Sequence, residues 1–457
     1  LTVMTFLGAG MLSGISAQVS PLQVDTLKET KIPDQWDLQS CIDYAKEQNI
    51  TIRKNRITAA STQIDVKTAK AAMFPSLSFS TGQQVVNRPY QETSSRVSGS
   101  EIISSNSKTS YNGNYGLNAS WTLYNGNKRL KTIQQEKLNN QMAELDVATS
   151  ENNIQESITQ VYIQILYAAE SVKVNENTLQ VSIAQRDRGQ ELLNAGSIAK
   201  SDLAQLEAQV STDRYQLVTA QATLEDYKLQ LKQLLELDGE NEMNIYLPAL
   251  SDENVLAPLP TKRDVYISAL SFRPEIEASK LNVEASELGI NIAKSSYFPT
   301  ISLSAGIGTN HTSGSDFTFG EQVKNGWNNS IGLSVSVPIF NNRQTKSAVQ
   351  KAKLQYETSM LSLLDEQKAL YKTIESLWLD ANSAQQRYAA ANEKLKSTQI
   401  SYELISEQFN LGMKNTVELL TEKNNLLQAQ QEQLQAKYMA ILNTQLLKFY
   451  QGDQLAI

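Results

Sequence analysis

The chain has 457 residues, 40% apolar and 19% charged, with 41 Lys+Arg against 48 Asp+Glu for a formal net charge of −7. That mild acidity excludes the basic face of a nucleic-acid-binding protein. One Cys (Cys41) and one His (His311) exclude internal disulfides and multi-His or multi-Cys metal sites.

Residues 1–17 form an apolar run ending in small residues, which reads as the h-region and cleavage region of a secretory signal, cut after Ala17. The positive n-region is missing and the first residue is Leu1, so the sequence reads as beginning inside that signal. Residues 18–34 read as a polar tail. Beyond the signal no apolar run is long enough for a membrane-spanning helix. Cys41 reads as a small core residue on a helix. It is not a lipid anchor, because Leu38-Gln39-Ser40 lacks the small residues such an anchor needs before it. After Phe74-Pro75 the pattern switches to period two: Leu77 and Phe79 alternate with serines in a strand at 76–86. A Ser- and Asn-rich loop from Asn87 to Thr109 leads to a return strand at 111–124, with Tyr115, Leu117, Ala119, Trp121 and Leu123 on one face.

Between Gly126 and Asn194 there is no Pro and the single Gly189. This predicts one helix of roughly 60 residues, about 90–100 Å long. A second helix follows, with Leu203, Val210, Leu217, Leu224 and Leu231 recurring at seven residues and Leu206, Asp213, Ala220, Tyr227 and Leu234 beside them. A linker at 241–262 then leads to a segment that repeats the order. Phe298-Pro299 opens a strand at 300–309, where Ile301, Leu303, Ala305 and Ile307 alternate with small residues. The loop from Thr309 to Trp327 holds His311, read as a solvated loop residue, and the return strand at 330–340 carries Ile331, Leu333, Val335, Val337 and Ile339. The stretch from Asn342 to Asn410 lacks Gly and Pro altogether, and Leu420, Leu427, Leu434 and Ile441 recur at seven in the last helix, flanked by Leu419, Leu426, Ala440 and Leu447, before a tail at 451–457.

Self-comparison makes this a duplication. Tyr115–Tyr124 aligns with Ile331–Phe340 at a shift of 216, as does Leu193-Asn-Ala-Gly196 with Phe409-Asn-Leu-Gly412. Met73–Ser78 aligns with Tyr297–Ser302 at a shift of 224, the first copy having the longer loop. Repeat 1 is assigned to 35–240 and repeat 2 to 263–450. The fold class expected is α+β, with long antiparallel coiled-coil helices and four β-strands per protomer.

Alternation of apolar and small polar residues is what a strand between lipid and water needs, and Leu77, Phe79, Leu117, Trp121, Leu123, Ile301, Leu303, Leu333, Val335 and Val337 are the expected lipid-facing residues. A soluble half-buried strand alternates in the same way. Four strands close no barrel, and open edges in hydrocarbon leave backbone groups without partners. If these strands lie in a membrane, several copies have to pool them, giving an oligomeric tube. The competing readings are an exported coiled-coil structural or adhesive protein without a pore, and a periplasmic adaptor, which would carry one hairpin and not two. An enzyme is the weakest reading, because one His, one Cys and no Gly-rich phosphate loop assemble little chemistry; no cofactor or metal is expected.

The sequence resembles the TolC family of outer membrane efflux and secretion channels from about Trp36 to Tyr450. The resemblance is carried by Trp36-Asp37-Leu38-Gln39-Ser40-Cys41-Ile42-Asp43-Tyr44-Ala45, by Arg273-Pro274-Glu275-Ile276, by the two Phe-Pro strand entries and by two hairpin tips. It implies a homotrimer with a 12-stranded barrel in the outer membrane and a helical tunnel across the periplasm. It also implies docking onto a membrane-fusion adaptor and an inner-membrane transporter that supplies the energy. The family's gate lies at the tips, which here carry Gly196, Lys200 and Asp202, and then Phe409, Gly412, Lys414 and Glu418, with Asn194, Ser197, Asn410 and Met413 as the expected adaptor or pump contacts. On local grounds Asp202 and Glu418 are equally well helix-start acids. On the family's pattern Asp202 and Lys414 hold the gate closed and Glu418 lines an acidic ring. The pattern departs at Phe409 for Tyr, Lys414 for Arg and Thr421 for an acid, which removes directional hydrogen bonds and implies a looser gate.

Overall fold

The computed structural model describes residues 33–90, 94–98, 101–105, 108–238, 243–248, 255–313, 315 and 317–455. The expected signal and nearly all of the tail after it lie outside these residues. The elements run α1 Leu38–Gln48, α2 Ile50–Ala71, β1 Ser76–Asn87, β2 Ser94–Ser98, β3 Glu101–Ser105, β4 Thr109–Asn125, α3 Lys128–Asn194 and α4 Lys200–Leu234 in the first half. The second half is α5 Lys262–Phe272, α6 Pro274–Ser295, β5 Thr300–Thr312, α7 Phe319–Asn325, β6 Asn328–Ser336, α8 Gln344–Asn410 and α9 Thr416–Gln451. Helix lengths of 11, 22, 67 and 35 residues recur as 11, 22, 67 and 36, so the duplication read from short motifs extends to every major helix.

The two 67-residue helices begin from the same turn, Gly126-Asn127 and Asn342-Arg343, in which all four residues have positive φ. At Gly126 a Cβ would lie 2.7 Å from the Ser295 carbonyl oxygen, so this copy of the turn needs glycine for room as well as conformation. α3 folds back on α4, and α8 on α9, as antiparallel hairpins. The core sits where α1 crosses these helices, around Trp36, Ile42, Tyr162, Leu231, Tyr388 and Leu442. The Tyr162 hydroxyl donates to the Tyr246 carbonyl at 2.6 Å, which pins the connecting segment. Its counterpart in the second half packs Val265, Ile276, Ile374 and Leu447. Each of these larger side chains contributes about 1.5–3 kcal/mol by leaving water. Cys41 is fully buried on α1, as expected, and burial pushes its thiol up to about 12.

The four long strands form one antiparallel sheet in the order β1-β4-β5-β6. Its register lines up apolar rows across the strands: Leu77, Ala119, Ala305 and Ile331 in one, Trp121, Leu303 and Leu333 in the next. The opposite face carries Ser78, Asn118, Gly306 and Ser330, and then Ser76, Ser120, Ser304 and Gly332. A register shift between Thr122 and Tyr124 makes Tyr124 the residue opposite Ile301, so Leu123 stands in a bulge.

Three expectations are corrected. The last strand ends at Ser336, so Val337, Ile339 and Phe340 lie beyond it; Pro338 has no N–H to give a ladder. The first loop contains the β2–β3 hairpin and the second contains α7, which starts with a Thr318–Glu321 capping box. His311 is on β5, not in a loop: it pairs with Gly113, whose missing side chain leaves the imidazole room beside Tyr111, Tyr115 and Phe319. Among the described residues no helix is long and apolar enough to cross a membrane.

Candidate functional site

The two hairpin tips are built alike. α3 ends at Asn194 and the chain reverses at Gly196 with φ +77°, where the Gly196 N–H reaches the Leu193 carbonyl at 2.9 Å and the Ser197 N–H reaches Leu192 at 2.8 Å. α8 ends at Asn410 and reverses at Gly412 with φ +73°, with N–H bonds from Gly412 to Phe409 at 2.9 Å and from Met413 to Gln408 at 2.8 Å. Both are Schellman-type ends, in which a left-handed residue lets the next amides satisfy carbonyls left over by the helix.

The following helix starts differ. At the first tip the Asp202 carboxylate accepts the Ala199 N–H at 3.0 Å, but Ala199 has no side chain to return the bond, so this is half of a capping box. At the second, Asn415 Oδ1 accepts the Glu418 N–H at 2.9 Å and the Glu418 carboxylate accepts the Asn415 N–H at 3.2 Å. Lys414 Nζ lies 2.6 Å from Glu418 Oε1. Lys414 first, and then the Asn415 backbone, hold the Glu418 carboxyl below its ordinary value. Asp202 and Lys414 thus find partners inside their own tips, and within one chain they do not meet. Asn194, Ser197, Lys200, Asn410 and Met413 are exposed at the tips, while Phe409 is buried.

Behind the tips lies a cluster that periodicity alone did not disclose. Lys423 of α9 reaches across to Asp213 of α4 and Ser182 of α3, and Ser182 also donates to Asp213. The Lys423 and Asp213 side chains are 3% and 2% exposed. Gln209 Nε2 donates to the other Asp213 oxygen at 2.9 Å, so both carboxylate oxygens are engaged. Burial pushes the Lys423 ammonium below its ordinary range, and Asp213 pulls it partly back. The available signal was an acid, Asp213, at an apolar heptad position.

Arg273 ties the middle of the molecule together. With 3% side-chain exposure, it reaches Glu156 of α3 at 3.0 Å and Glu275 of α6 at 2.9 Å, and it lies 3.9 Å from the Tyr450 ring centroid on α9. Arg273-Pro274-Glu275 is therefore a brace, with Pro274 opening α6. Among the described residues no group of three or more His, Cys, Asp or Glu is placed to hold a metal ion.

Residues 41–236 and 265–452 match the family described as Outer membrane efflux protein. The chain is 24% identical over 299 residues to the outer membrane efflux protein BepC of Brucella suis, covering 65% of this chain and 62% of that one. It is 24% identical over 291 residues to the outer membrane protein TolC of Escherichia coli, covering 62% and 58%. The alignments thus span about three fifths of these relatives' lengths. Among solved structures, that of CusC matches with a TM-score of 0.77 at 18% identity, over 91% of this chain and 92% of that one. The protomer fold is that of these channels, long helical hairpins joined to barrel strands.

Proposed function

Because the chain belongs to the outer membrane efflux protein family, we propose that it is the outer-membrane duct of an export system, a passive conduit and not an enzyme. The observation that carries this reading is the sheet. It has one apolar exposed face, one face of small polar residues, and two edge strands, β1 and β6, each paired on one side only. A sheet of this kind is incomplete in lipid until its edges find partners. Three copies joined edge to edge supply twelve strands and close it, with the apolar rows toward lipid and the serine rows toward water. The helical hairpins then continue the passage into the periplasm.

In this reading the tips form the entrance. Glu418, paired with Lys414, and Asp202 are its charged groups, while Asn194, Ser197, Asn410 and Met413 are the surface offered to a membrane-fusion adaptor or an inner-membrane transporter. Cargo moves by the transporter's energy.

Single-particle imaging of the detergent-extracted protein, paired with planar-bilayer conductance, tests this. A three-fold tube with a short barrel and a long helical body, conducting ions, supports the duct. A soluble monomer or a filament that needs no detergent and conducts nothing would leave the pore-free coiled-coil reading.

A further inference from the structure

The four strand–helix junctions share a feature that conduction does not use. At each one an aromatic residue near the end of the apolar rows is followed, three or four positions toward or along the helix, by a base: Phe74 and Lys70, Tyr124 and Lys128, Phe298 and Lys294, Phe340 and Arg343. All four bases are exposed, and none makes an ion pair or side-chain hydrogen bond among the described residues. Lys67 and Lys346 add to the same collar. Stretches 66–75, 126–135, 288–299 and 337–356 contain no Asp or Glu, in a chain whose net charge is −7.

Helix physics accounts for half of this pattern. Lys70 and Lys294 stand in the last turns of α2 and α6, where the dipole favours a cation. Lys128 and Arg343 stand where α3 and α8 begin, and there the same dipole favours an anion. Neither helix start has an acid in its first turn or a cap from its N-cap side chain, although the Arg129 N–H of α3 reaches Asn125 Oδ1 at 3.4 Å. Exposed cations over two helix starts that lack an acid are complementary to phosphate. Its level is also set: Phe74, Tyr297, Phe298 and Phe340 are exposed beside it, at the end of the apolar rows, where aromatic residues mark the edge of hydrocarbon.

Resting on the reading of the apolar sheet face as lipid-facing, we propose that this collar binds the phosphates of anionic phospholipids in the leaflet on the helical side. It would fix the depth and tilt of the barrel from beneath. The partner is an anionic lipid surface, and the bases that meet it are Lys70, Lys128, Lys294 and Arg343.

The test follows lipid retained by the detergent-extracted full-length protein, read by native mass spectrometry with phosphatidylglycerol and phosphatidylethanolamine as probes. The expected result is a preference for phosphatidylglycerol of at least about fivefold, the worth of one base at an anionic surface. It should shrink in Lys70→Gln, Lys128→Gln, Lys294→Gln and Arg343→Gln singly, vanish when all four are combined, survive Lys70→Arg, and be lost in molar salt, where the screening length falls to about 3 Å. Equal retention of the two lipids, or an unchanged preference in the fourfold variant, overturns the proposal. So does stripping of phosphatidylglycerol by inorganic phosphate, which would make the site one for the free anion. A changed ion selectivity with unchanged lipid preference also overturns it, because the bases would then face the passage. In each of these cases a conducting trimer leaves the duct standing; a chain that enters neither micelles nor bilayers removes both.

Discussion

Lys423 and Asp213 are the residues whose removal should be felt most. Each lies on a seam that otherwise packs apolar side chains, and neither has water to replace a lost partner. Lys423→Met alone would leave the buried Asp213 carboxylate with the Ser182 and Gln209 hydrogen bonds but no counter-charge, at a cost of about 3–5 kcal/mol. Asp213→Leu combined with Lys423→Met should cost far less, since an apolar pair of similar volume is often neutral. Denaturant unfolding of the solubilised protein, with hydrogen exchange across α4 and α9, reads the difference; equal losses in the single and double variants would show that the pair is not coupled. Glu418 makes a prediction of opposite visibility, because it is only half-buried. Its carboxyl is held below the ordinary 4.5, so its capping and its pairing with Lys414 are in place above that pH and are lost as pH falls through the lower folded value. The protection of amides 413–418, measured as exchange relative to the intrinsic rate at each pH, should therefore fall on acidification through that window, and Glu418→Gln should remove the step. An unchanged acid profile in that variant would assign the step to another group.

At the scale of elements, much was readable in advance because the chain states it twice. Two stretches with almost no Gly or Pro announced the 67-residue helices, and the two Phe-Pro entries announced β1 and β5 within a residue of where they start. What stayed hidden was long-range or local in ways that periodicity does not encode. Lys423 meets Asp213 across 210 positions, which no seven-residue count connects. The seam of α9 buries Leu434 and Ile441 of the seven-residue series together with its flanking Leu419, Leu426, Ala440 and Leu447, whereas Leu420 and Leu427 are only half-buried, because the choice between adjacent leucines depends on where α8 lies. His311 was assigned to a loop from its Ser, Thr and Gly neighbours, although small residues are also what the sheet's polar face uses. The tip glycines both stand in the left-handed region, which makes their energetics simple to argue. A Cβ at Gly196 or Gly412 meets nothing within 4 Å, so the cost of Ala there is conformational only, about 1–2 kcal/mol at either tip. Gly196→Ala and Gly412→Ala should lower the midpoint of unfolding by similar amounts, with Asn substitutions milder. A much larger loss in one of them would mean that its tip is packed against something in the assembly.

For the whole molecule, the two sheet faces should differ sharply in what they tolerate. Leu117 lies on β4 between Phe79 and Ile307, and its neighbour Asn118 lies between Ser78 and Gly306. The two share a strand, a backbone and an environment of protein, differing only in which face they occupy. If the apolar face meets hydrocarbon, Leu117→Arg carries a charge into the bilayer at up to about 2–4 kcal/mol per copy, depending on depth. Three copies in one barrel multiply that cost, so the variant should fail to assemble in membranes even though its helical hairpins fold. Asn118→Arg faces water and should assemble, shifting the conducted current toward anions. The measurement is the fraction recovered as a membrane-inserted trimer, with reversal potential under a salt gradient for the variant that inserts. Failure of Asn118→Arg together with normal assembly of Leu117→Arg would turn the sheet inside out. Equal tolerance at both positions would mean that neither face meets lipid, and that the long helices serve something other than a passage.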